Sequence, residues 1–140
     1  MMGAGGRSMA STKKPTPPQF SVEIDSFIRL MDQAVRDYNW CFEEVGKMDR
    51  LTQDHLHKLE LDGLKYNERA KLATKIKTCR RTRRECKDTT EILEPLVTFL
   101  ASEKGKNMMS LMRETLGKTR KVEERMKTRR YYPRITEDDE

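Results

Sequence analysis

The side chains best suited to chemistry are two histidines, three cysteines, two pairs of adjacent carboxylates and a dense run of cations. His55 and His57 are the only histidines. Two residues apart on a helix, they point about 160° away from each other, so one ion cannot take both; that needs His-X-X-X-His. Cys79 and Cys86 are two turns apart on one helix face, roughly 10 Å along the axis, too far to share a metal. Glu43-Glu44 and Glu123-Glu124 splay apart on a helix and read as solvated surface. There is no Gly-rich phosphate loop and no nucleophile motif. The expectation is a non-enzymatic chain with no catalytic residue, metal site or cofactor. The odd set Cys41, Cys79 and Cys86 falls on apolar helix faces and reads as small buried hydrophobes in a reducing cytosol, not as a disulfide framework.

The cations are the main functional signal. The net charge of +6 hides a segregated pattern. Phe20 to Asp62 holds ten acidic and five basic residues, Lys65 to Lys87 ten basic and two acidic, and Lys104 to Arg134 eleven basic and three acidic. On a helix, Lys77, Arg80, Arg81, Arg84 and Lys87 share one side. Arg83 falls instead on the apolar seam, where it needs an acidic partner from the first helix. The segregation has two uses. Acidic and basic helices can pair within the chain and fix its register. Alternatively, the five cations form a surface for nucleic acid or an acidic protein, binding phosphates through counterion release. No helix-turn-helix, zinc-finger or RNA-binding signature is present, and only Tyr66, Tyr131 and Tyr132 stand near basic residues. Any nucleic-acid contact should therefore be weakly sequence-selective.

The elements that position these residues follow from periodicity. Hydrophobic residues are only 35% of the 140 and charged residues 37%, which favours long helices with narrow apolar stripes over a thick core. The first helix is expected from Ser21, as N-cap, to Leu61. Its heptad columns are Ile24, Met31, Tyr38, Val45, Thr52, Leu59 and Phe27, Ala34, Cys41, Met48, His55. Asp62-Gly63 ends it. The second helix starts near Asn67, with the seam Leu72, Ile76, Cys79, Arg83, Cys86, Thr90, Leu93, Val97, Leu100. Pro95 should kink or break it. A turn over Ser102 to Asn107 leads to a third helix from about Asn107 to Arg130, with the seam Met108, Leu111/Met112, Thr115, Thr119, Val122, Met126. Pro133 stops it.

The fold expected is all-α: an elongated antiparallel three-helix bundle, or a coiled-coil-like helical hairpin with a third helix. It is expected to form a single domain over 20–134, after a disordered leader at 1–19 and before an acidic tail at 135–140. Gly3 to Ser8 of the leader reads as an appended segment. No apolar run approaches the ~20 residues of a membrane span. The first helix looks too long for its partners to cover, so Tyr38, Trp40, Phe42 and Met48 are the expected contact for a protein partner or for self-association into a homo-oligomer.

A resemblance adds context. Leu56-His-Lys-Leu-Glu60, Asn67-Glu-Arg-Ala-Lys71, Arg80-Arg-Thr-Arg-Arg84-Glu-Cys-Lys-Asp88, Leu93-Glu-Pro-Leu-Val97 and Tyr132-Pro133-Arg134 follow one another in an order that resembles uncharacterised small helical proteins encoded by bacteriophages and prophages of Gram-positive bacteria. The likeness covers roughly Leu51 to Arg134. It implies a cytoplasmic protein of a bacterial host, such as a phage regulator or host-factor binder, and it transfers no functional residue.

Overall fold

The computed structural model describes residues 20–61, 63–129 and 135. Expectations for the leader, for Asp62 in the first turn, for the Pro133 stop and for the acidic tail fall on residues outside that set. The fold is all-α, with three helices among the described residues: α1 Phe20–Leu61, α2 Tyr66–Ala101 and α3 Glu103–Thr128. There is no strand among the described residues. α1 packs against both other helices, through an Asp49–Arg83 ion pair to α2 and a Ser21–Glu123 hydrogen bond to α3.

The heptad columns of α1 face inward. Met31, Ala34, Cys41 and Met48 are buried, the other column members are half-buried, and Phe27 alone is exposed, at 37%. The heptad columns of α1 are thus largely covered, but the stretch expected to stay open is open in part: Cys41 is buried and Tyr38 half-buried, while Trp40 and Phe42 are 60% and 66% exposed. α2 runs unbroken through Pro95. Pro95 lies on the exposed side of α2, where the Glu91 carbonyl that loses its donor can turn to water. The break at Pro95 does not occur.

The chain divides into two compact units. One is Arg29–Met109; the other joins the chain up to Ile28 with the chain from Ser110 onward. In the first unit, α2 lies antiparallel to α1. Asp49 meets Arg83, while Cys41, eight residues earlier on α1, is a neighbour of Cys86, further along α2. The α2 seam matches its predicted positions: Leu72, Cys79, Cys86 and Leu100 are buried and the rest half-buried.

The boundary between α2 and α3 is shorter than its glycine suggests. Only Ser102 separates the helices, with extended backbone at φ −72° and ψ 164°. Its N–H donates to the Phe99 carbonyl at 3.0 Å, and its Oγ accepts from the Gly105 N–H at 3.1 Å. One serine therefore closes α2 and caps the start of α3. Gly105 is buried inside α3, because a side chain there would collide with the last turn of α2.

In the second unit, the start of α1 and most of α3 meet. Ser21 is a helical residue, not the N-cap. Its N–H, one of the orphan donors of the first turn, is taken by the Glu123 carboxylate at 3.1 Å. Arg120 and Asp25 add an ion pair at 3.5 Å. The α3 seam is also rotated from expectation. Leu116 is buried and Thr119 half-buried, whereas Thr115, Val122 and Met126 are exposed.

Candidate functional site

Lys77, Arg80, Arg81, Arg84 and Lys87 are all exposed. α2 is helical throughout this stretch, so the spacings of three and four place them on one side. At about 100° per residue that side lies opposite the buried seam of Cys79 and Cys86. The face extends roughly 15 Å along the helix. None of the five forms an ion pair with a described residue. The neighbouring threonines turn away from it: Thr78 Oγ1 donates to the Thr74 carbonyl and Thr89 Oγ1 to the Glu85 carbonyl.

Arg83 behaves differently, as its seam position requires. Its Nε donates to Asp49 Oδ1 at 2.6 Å, with the two side chains 35% and 55% exposed. This is the intramolecular pairing that charge segregation allows, and it engages one cation of the run. The acidic residues of α1 leave the outer face of α2 unneutralised.

The aromatic set does not form one surface. Tyr38 and Phe42 stack, with ring centroids 6.2 Å apart and planes 24° from parallel. Phe42 is 66% exposed and Tyr38 half-buried. Trp40, 60% exposed, lies two residues from each, which puts it about 160° around the helix on the other flank. Met48 is buried at 7% and belongs to the core. The four expected contact residues thus divide into a stacked pair, a separate tryptophan and a packing residue.

The end of the expected α3 seam stays open, beside a contact that the sequence does not signal. Phe20, Thr119, Val122 and Met126 line an open apolar groove of about 560 Å³, flanked by Lys118, Lys127 and Glu123. Glu123 is held below its ordinary value, chiefly by hydrogen bonds from Ser21. That contact joins residues 102 positions apart and cannot be read from local spacing.

His55 is half-buried and His57 exposed, and among the described residues no group of three or more His, Cys, Asp or Glu is placed to hold a metal ion. Among the described residues, no helix is long and apolar enough to cross a membrane. No protein-family model, curated protein or solved structure matches the chain.

Proposed function

We propose that this chain is a non-enzymatic helical interaction protein that binds nucleic acid through the outer face of α2. The observation that carries this reading is the set of five solvent-facing cations, Lys77, Arg80, Arg81, Arg84 and Lys87, with no carboxylate engaging them. Such a face costs self-repulsion unless an anion neutralises it. A run of phosphates does so and releases its own condensed counterions. Among the described residues no base-reading element or aromatic platform stands beside the face, so binding is expected to follow the backbone and not the base sequence.

Binding of labelled duplex and single-stranded DNA at several salt concentrations tests the reading. If all five cations meet duplex phosphates, the logarithm of affinity falls against the logarithm of salt with a slope of about −4.5. The Arg80→Ala/Arg81→Ala/Arg84→Ala variant lowers that slope by roughly 3. Absence of binding at ~50 mM salt overturns the proposal, because non-specific contacts are strongest at low salt.

A second reading is favoured by the exposed Tyr38–Phe42 stack. It is a docking point for a protein partner or a second copy, since a stacked aromatic pair gains by leaving water. Light scattering over a range of concentrations, with Phe42→Ala as control, tests it. Both readings suit the cytoplasm of a bacterial host and the role of a phage regulator or host-factor binder, which is the context the phage-protein resemblance supplies.

A further inference from the structure

We propose that the outer face of α2 is a contact between two antiparallel copies of this chain. The basic stretch on that face ends at Lys87, and an acidic stretch begins at the next residue. Asp88, Glu91 and Glu94 follow, with no basic residue from Asp88 to Glu103. All three are exposed, like Arg81, Arg84 and Lys87 before them. The helix is unbroken across both stretches, so at about 100° per residue the six side chains fall within an arc of about 140°. None of the six forms an ion pair with a described residue. Arg84–Asp88 and Lys87–Glu91 are four apart with the cation first, the weaker order for pairing within a helix.

The six charges are inverted about the midpoint between Lys87 and Asp88. Arg84 lies three residues before Lys87 and Glu91 three after Asp88; Arg81 lies six before and Glu94 six after. A two-fold axis through that midpoint brings a second copy of α2 alongside in the opposite direction. Lys87 then faces Asp88, Arg84 faces Glu91 and Arg81 faces Glu94, each twice, giving six pairs of opposite sign. A parallel pair would set like charges together. Ile92, 76% exposed on the flank of this face, gains cover from the arginine stems of the second copy. A nucleic acid strand engages the basic half alone and gives the acidic half no task, so the dimer does not depend on nucleic-acid binding. Both occupants draw on Arg81, Arg84 and Lys87, so they compete. The paired stretch, Arg81 to Glu94, is roughly 20 Å long. Such a contact is smaller than a standard interface, so the dimer is weak and forms at high protein concentration.

Sedimentation equilibrium of the whole chain, freed of nucleic acid by nuclease and followed up to its solubility limit, tests this. A dimer should appear at ~50 mM salt and dissociate at ~1 M, where the screening length is about 3 Å. Arg84→Gln removes two of the six pairs by symmetry and should weaken the dimer about 2–30-fold. Arg81→Glu/Arg84→Glu and Glu91→Arg/Glu94→Arg should each be monomeric alone, and an equimolar mixture should restore the dimer near wild-type strength. Circular dichroism checks that both variants remain helical. Lys104→Glu/Lys121→Glu, an equal charge change on α3, should keep the dimer, as should Phe42→Ala. A chain that stays monomeric at low salt, a dimer that persists at ~1 M salt or is lost with Phe42→Ala, or two helical variants that do not associate when mixed overturns the proposal.

Discussion

A β-carbon placed on Gly105 would stand 2.7 Å from the Leu100 Cα, and closer still to the Phe99 carbonyl oxygen. Both obstacles are backbone, so neither can swing aside. Gly105→Ala should therefore cost about 1–3 kcal/mol, the range for forced overpacking. Gly117, also helical, meets nothing within 4 Å of its added carbon. Gly117→Ala should stabilise by ~1 kcal/mol from helix propensity alone. Urea unfolding of the two variants, with equal m-values, checks the opposite signs.

The Asp49–Arg83 pair should contribute modestly. Its partners are 35% and 55% exposed, so water screens the attraction and about 0.5–1 kcal/mol is expected despite the 2.6 Å contact. A double-mutant cycle with Asp49→Asn and Arg83→Gln measures the coupling. Raising the salt concentration should reduce it.

Acid should loosen the start of α1. The Glu123 carboxyl is depressed from its ordinary value near 4.5, chiefly by hydrogen bonds from Ser21. A depressed carboxyl favours folding fully above the unfolded-state value, and that contribution is lost as pH falls through the lower folded-state value. The thermal midpoint of the wild type should therefore exceed that of Glu123→Gln at neutral pH, and the gap should close in acid. Carboxyl resonances followed by NMR should place the Glu123 midpoint below the ordinary one.

Trp40 is the only tryptophan and is 60% exposed. Its fluorescence should be red-shifted and readily quenched by iodide in dilute solution. A blue shift with rising protein concentration would place Trp40 in an interface between copies.

The first helix was readable because one heptad runs its length and nearly every column member turns inward, from Met31 to Met48. The basic face was equally plain, since spacings of three and four need no tertiary information. The third helix was misread where apolar residues crowd both sides: Met108, Met109, Leu111 and Met112 fit several registers, and only packing selects Met109 and Leu116. The sequence alone points to Gly105 as a turn residue, though its role is close approach. Ser102, three places before it, is the capping signal that marks the true boundary. The Ser21–Glu123 cap depends on which helix faces which, and single-helix periodicity does not encode that.

None of the large side chains among the described residues is withdrawn from water to below 2% exposure. Without a deep interior, positions along the seams are permissive: Thr52, His55 and Thr90 already stand there half-buried. Selection on such a chain acts on spacing more than on identity. Descendants of a common ancestor can exchange most of their letters, keep the seven-residue rhythm, and still fold alike.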